Sequence, residues 1–338
     1  MTKAILAAIF AAALVPAAAA QAQETVPPVI NSYISFSLPE KDLLPENVAY
    51  DPVEETFYVG STRKGKIVRF KDGEHSVFAT REEHGLWQVI GMKVDAKRRL
   101  LWVCSSSGEN LVGHSKGEPA KGGLFKFDLK TGRLLKKFVL EEPGKSHFFN
   151  DLVVSSKGDV YATHMFDEAA IYRISAGKDE LELFLKPERF AAPNGIALSS
   201  DEKLLFIAHR FGVKTLNTKT KEFLNLQYPE DVTMKGIDGI YFHDNSLIAI
   251  HSDAKLVRRY PLDETLGHVV RGETLESGHP LLDNPTTGVI VGNWFHYIAN
   301  SQFGRFSENG ELLPYERLVQ PVILRVRISG ETQAAARK

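Results

Sequence analysis

The sequence predicts an all-β fold, a six-bladed β-propeller whose ring is closed by an N-terminal strand completing the last blade. Three observations carry that expectation. Six segments are self-similar: ENVAYD from Glu46, IGMKVD from Ile90, NDLVVS from Asn150, NGIALS from Asn194, DGIYFH from Asp238 and TGVIVG from Thr287, their first residues 44, 60, 44, 44 and 49 apart. Each is followed by a polar turn and a second apolar run, and most units add a third and fourth strand, which together with a period of about 44 marks a propeller. The two ends are also complementary, because the sixth unit lacks a fourth strand and a spare strand pattern precedes the first.

Taken in order, residues 1–22 (MTKAILAAIFAAALVPAAAAQA) set Lys3 before an apolar run that is too short to span a bilayer and ends in small residues. That pattern predicts a secretory signal peptide, cut after Ala22 or Ala20, and a mature protein that is secreted, periplasmic in a two-membrane bacterium. Residues 23–330 are expected to form one propeller domain, opened by VINSYISFSL, the strand that completes the sixth blade. The second strands read TFYVGST, LLWVCSS, DVYATH, LLFIAH, SLIAIH and FHYIAN; third and fourth strands include GKIVRF with HSVFA, GLFKFDL with LLKKFVL, and AIYRIS with LELFL. All are rich in β-branched and aromatic residues and are bounded by Gly, Asp, Lys and Ser turns. PVILRVRIS supplies the last blade's third strand, and 331–338 is a polar tail. A sandwich would not keep one period through six units.

Composition narrows the function. With 41 basic against 42 acidic side chains, no global field draws the chain to nucleic acid or to an anionic membrane. The single cysteine, Cys104, cannot form an internal disulfide and reads as a small buried core residue. No P-loop, dinucleotide fingerprint, G-x-S-x-G or H-E-x-x-H occurs, which argues against nucleotide-dependent, serine-hydrolase and zincin chemistry. A small-molecule substrate is the expected partner, and nothing in the sequence sets an oligomeric state.

In a propeller the first strand of every blade lines the axis, so equivalent positions form a ring. The first column reads Glu46, Ile90, Asn150, Asn194, Asp238, Thr287. Two carboxylates and two amides make an all-oxygen donor set, which suits Ca²⁺, or Mg²⁺ or Mn²⁺, better than Zn²⁺ or Cu²⁺. Glu46, Asn150, Asn194 and Asp238 are therefore the candidate metal ligands. A second column, at the ends of the second strands, reads Ser61, Ser105, His164, His209, His251, Asn300. Antiparallel pairing returns it to the same end, so the three histidines are expected at one mouth with the metal set. There they can steady metal ligands, act as acid or base near neutral pH, or bind a transition metal together. His147, three residues before Asn150, is a further candidate. The two longest insertions, about 106–122 and 301–320, fall at that end and are expected to form a lid.

These residues resemble the regucalcin and gluconolactonase (senescence-marker-protein-like) family of six-bladed propellers, over roughly Leu44 to Arg327. PEN, FNDLVV, APNGIALSSDEKLLFIAH and IDGIYF are the most specific pieces. The resemblance implies calcium, or another divalent cation such as manganese, magnesium or zinc, held by Glu46, Asn150, Asn194 and Asp238, and hydrolysis of lactones or related esters. It also implies Asp238 as general base or nucleophile, with Asp151 steadying Asn150. The chain departs from the usual pattern where His164, His209 and His251 replace the more frequent Asp, and where PENV replaces PEGP. The alternative function is a non-catalytic propeller that binds a small molecule or protein at the mouth around a structural metal.

Overall fold

The computed structural model describes residues 26–328, apart from 116, 167 and 308–310. The expected signal peptide and C-terminal tail lie outside the described residues. Six four-stranded antiparallel sheets follow one another along the chain. Their inner strands are Pro45–Asp51, Gln88–Asp95, Phe149–Val154, Ile196–Leu198, Ile237–His243 and Gly288–Val291. Each inner strand packs against those of both neighbouring blades, the sixth against the first, so the ring is closed.

Closure has the expected origin. In blade 6 the strand order outward is Gly288–Val291, Trp294–Ile298, Val322–Arg327 and then Tyr33–Ser37 from the start of the chain. Tyr33 pairs with Arg325 and Ser37 with Val322, so the edge that would otherwise be unpaired joins the two ends.

Alternation along each strand sends successive side chains to opposite faces of its blade, hence to two different inter-blade layers. In blade 2, Leu101 and Val103 join the core shared with blade 1, while Trp102 and Cys104 join the core shared with blade 3. The same division gives one apolar layer between every pair of blades. Cys104 is fully buried as the sequence suggests, and burial pushes its thiol well above its ordinary value.

Candidate functional site

The column from Glu46 to Thr287 occupies a break in the strand ladder. Register shifts fall between Pro45 and Val48, Val89 and Met92, Phe149 and Leu152, and Ile237 and Ile240. In blade 4 the corresponding residues precede the strand, with Asn194 N donating to Ala208 O at 2.9 Å. A bulge frees one residue from the alternation and re-aims its side chain, here toward the central channel at Glu46, Asn150 and Asp238, whereas Ile90 in blade 2 stays in the layer shared with blade 3.

The backbone groups that the break releases find partners in a neighbouring blade. Thr163 Oγ1 donates to Asn194 O (2.7 Å), Gly195 N to Asp238 O (2.9 Å), and Thr286 Oγ1 to Glu46 O (2.7 Å). Such close approach needs glycine. A Cβ at Gly91 would lie 2.5 Å from Asn150 O, and one at Gly195 would lie 2.5 Å from Asp238 O.

Three of the four candidate ligands are brought together directly. Asp238 accepts a hydrogen bond from the Asn194 amide, and Glu46 is close enough to Asp238 and Asp151 for their charges to oppose its ionisation. Burial first, then those two carboxylates, raise Glu46 well above the usual carboxylate range. Asp238 is raised to about 6, by burial first and by Asp151 and Asp253 next, against the lowering effect of Ser252 and Asn194. Ser252 Oγ lies 2.7 Å from Asp238 Oδ2 and 2.5 Å from Pro285 O. One hydroxyl carries one hydrogen, so when Ser252 gives it to Pro285 the bond to Asp238 uses the carboxyl proton.

Asn150, the fourth candidate, is buried, and its Nδ2 donates to Met165 Sδ at 3.0 Å. The carboxylate beside it, Asp151, is 1% exposed and accepts from Lys93 Nζ (3.1 Å) and Ile196 N (3.3 Å). Lys93 also lies 5.3 Å from the centre of the Tyr241 ring. The ammonium is thus committed to Asp151, while Glu46 and Asp238 have each other as neighbours.

The fit of a hard cation can be judged from these atoms. Asn194 Oδ1 is buried with no hydrogen-bond partner among the described residues, and it belongs to the amide whose nitrogen bonds Asp238. An orphaned carbonyl oxygen beside two carboxyl groups whose charges repel is the donor set that Ca²⁺ or Mg²⁺ accepts. The residues present fit the group. Among the described residues, no cluster of three or more His, Cys, Asp and Glu side chains is arranged to hold a metal, so a cation here depends on the amide oxygens.

The second column goes elsewhere. Strand alternation gives His164, His209 and His251 the parity of Ala162, Ile207 and Ala249, so each turns into the layer shared with the preceding blade. His164 Nδ1 lies 3.1 Å from Glu168 O, and its Nε2 lies 3.1 Å from His147 Nδ1. A carbonyl only accepts, so a neutral His164 donates from Nδ1 and accepts at Nε2. His147 then donates from Nδ1, and its buried Nε2, which has no partner among the described residues, is a bare lone pair. His251 Nδ1 donates to Lys235 O (2.9 Å) and its Nε2 faces the Tyr260 hydroxyl (2.7 Å). His209 packs against Phe190 and Phe211. Burial lowers both His209 and His251 to about 4.

The residues after those histidines are the ones that meet the first column. Ser252 holds Asp238, and Met165 holds Asn150. Sequence reasoning missed them and Lys93, although counting by twos from the strand cores would have assigned the parity.

The insertions are anchored near this end. Val112 N donates to Arg63 O (3.0 Å), tying 107–121 to the turn after blade 1's second strand. Gln302 Nε2 reaches Lys41 O (3.0 Å) and Val319 O (2.9 Å).

A six-bladed ring with an oxygen-rich site at its hub defines a class, and comparison with known proteins places the chain within it. Residues 44–225 match the family described as SMP-30/Gluconolactonase/LRE-like region, and the chain belongs to that family. No curated protein matches it. Among solved structures it is similar to a gluconolactonase from Xanthomonas campestris, with 13% identity and a TM-score of 0.60 over 90% of this chain and 97% of that one. It is also similar to regucalcin, a calcium-binding protein of Agrobacterium tumefaciens, with 16% identity and a TM-score of 0.59 over 90% and 97%. The Malassezia sympodialis allergen Mala s 1 superposes with 15% identity and a TM-score of 0.65 over 88% and 100%. At such identities the likeness is one of fold.

Proposed function

We propose that the protein is a divalent-cation-dependent hydrolase of lactones or related esters, with Ca²⁺ as the first candidate ion and Glu46, Asn150, Asn194 and Asp238 as its holders. The observation that carries this reading is the pairing of two half-buried, mutually repelling carboxyl groups with the unpartnered Asn194 oxygen at the hub. Family membership and the names of the gluconolactonase and regucalcin relatives support it. A bound divalent cation supplies Lewis-acid polarisation of the substrate carbonyl.

The chain's own residues supply the proton handling. Asp238 takes a proton from water as the oxygen adds to the carbonyl carbon, and returns it to the ring oxygen as the acyl C–O bond breaks. Ser252 and Asn194 fix the carboxyl through hydrogen bonds, and Lys93 holds Asp151 in place behind Asn150. His164, His209 and His251 hold the blades behind the mouth, with His147 buttressing His164. The predicted leader places this activity outside the cytoplasm.

A panel of lactones and aryl esters, assayed before and after chelation and after Ca²⁺ is restored, tests the reading. Turnover that chelation abolishes and Ca²⁺ returns is expected. Turnover indifferent to chelation would overturn the metal assignment, and a melting temperature raised by Ca²⁺ without turnover would favour the non-catalytic binder.

A further inference from the structure

We propose that the mouth selects lactones or esters bearing an apolar alkyl or aryl substituent over polyhydroxylated lactones, and that Phe148, Met165 and Phe166 form the wall on which that substituent rests. The inference rests on the hydrolase reading above and names its substrate class. Phe148 and Phe166 bring their ring centres to 5.0 Å, and Met165 N donates to Phe148 O at 2.8 Å, so two loop segments of blade 3 form one surface. The Asn150 amide donates to Met165 Sδ, which joins that surface to a candidate ligand of the ion. Phe166 is nonetheless 43% exposed.

Other connections at the same end also expose apolar side chains. Phe211, after blade 4's second strand, is 60% exposed, and Val112, pinned against blade 1's turn, is 50% exposed. Phe148 and Phe166 touch, and contiguous exposed apolar groups mark a binding surface, whereas scattered ones such as Phe211 and Val112 need no explanation.

Behind the Phe148–Phe166 wall the polar side chains are largely paired, His147 Nε2 is buried, and the nearby Glu142, Lys145, Glu168 and Lys186 pair with one another. Ser106 Oγ is spent on Phe149, Thr163 Oγ1 on Asn194 O, and the His147 and His164 rings bond each other. A sugar hydroxyl brought there loses its water without compensation. An apolar substituent that buries about 100 Å² gains on the order of 50-fold in binding instead.

The test compares kcat/KM of the Ca²⁺-loaded full chain for δ-valerolactone, its 5-heptyl and 5-phenyl derivatives, and glucono-δ-lactone. The substituted lactones are expected to exceed glucono-δ-lactone by about 50-fold. The Phe148→Ser/Phe166→Ser variant should cut that advantage below about fivefold through KM, while Phe166→Leu keeps most of it. A preference for glucono-δ-lactone, or an advantage that survives the double substitution, overturns the inference. If no lactone or ester is turned over, the hydrolase reading fails alone, and calorimetry with the 5-heptyl δ-lactam decides this one. Binding that Phe166→Ser weakens sustains it, and binding no tighter than that of a hydroxylated lactam overturns it.

Discussion

Two columns of this ring recur in the sequence with equal regularity and do opposite things in the structure. In blades 1, 2, 3 and 5 the first column sits where a bulge interrupts the ladder, and in blade 4 it precedes the strand; Glu46, Asn150, Asn194 and Asp238 turn toward the channel, while Ile90 stays in the layer between blades 2 and 3. His164, His209 and His251 sit in an unbroken ladder, and their rings enter the layers between blades. The first column holds charge that repels itself, while the second holds imidazole rings packed among carbonyls, hydroxyls and aromatic rings. Recurrence reports position in the ring. Whether a position serves chemistry or packing depends on the local backbone.

The comparison breaks most visibly if the first column can be neutralised without chemical cost. Asp238→Asn is expected to lower kcat by about 10³-fold or more, since it removes both the proton acceptor and a ligand charge. Its melting temperature in chelator should hold or rise, because one of two opposed half-buried carboxyls is gone. Activity within tenfold of the parent would remove Asp238 from the mechanism.

Lys93 extends the contrast below the site. Lys93→Met leaves Asp151 buried and unpaired, and denaturant unfolding is expected to show a loss of about 3–5 kcal/mol. Adding Asp151→Asn should restore most of it, because the amide oxygen still accepts from Ile196 N. A double variant as unstable as the single one would show that the ion pair does not carry the effect.

The fold was legible because the repeat and the complementary ends are properties of the chain itself. Tyr33–Ser37 completes blade 6 where the spare strand was expected. The first column was legible for the same reason, since a residue type that returns at one register must return at one radius. The destination of the histidines was not read, because the end to which a strand returns is fixed by pairing whereas the face is fixed by parity. Ala162 and His164 share a face, and Ala162 already belonged to the core between blades 2 and 3. Lys93 and Met165 were hidden for another reason: neither repeats, and each acts through a neighbour brought close only by folding.

The smallest expected effect separates the two columns by sign. Imidazoles protonate near 6.5 when unfolded, but burial lowers His209 and His251 of the second column to about 4. Below about 6.5 the unfolded chain therefore binds more protons, so the stability these rings allow is complete above that value and is lost as pH falls toward 4. Asp238 has the reverse sign: its folded value, about 6, lies above the ordinary carboxylate value, so its contribution is complete in acid and is lost as pH rises through 6. In chelator, stability between pH 4 and 6 is a contest between the two columns. Each buried histidine raises the slope by up to about 1.4 kcal/mol per pH unit. His251→Gln should flatten the curve and Asp238→Asn should steepen it, both read from urea midpoints measured every half pH unit. If His251→Gln left the slope unchanged, the ring would have to be protonated in the folded protein, and the second column would share the electrostatics of the first.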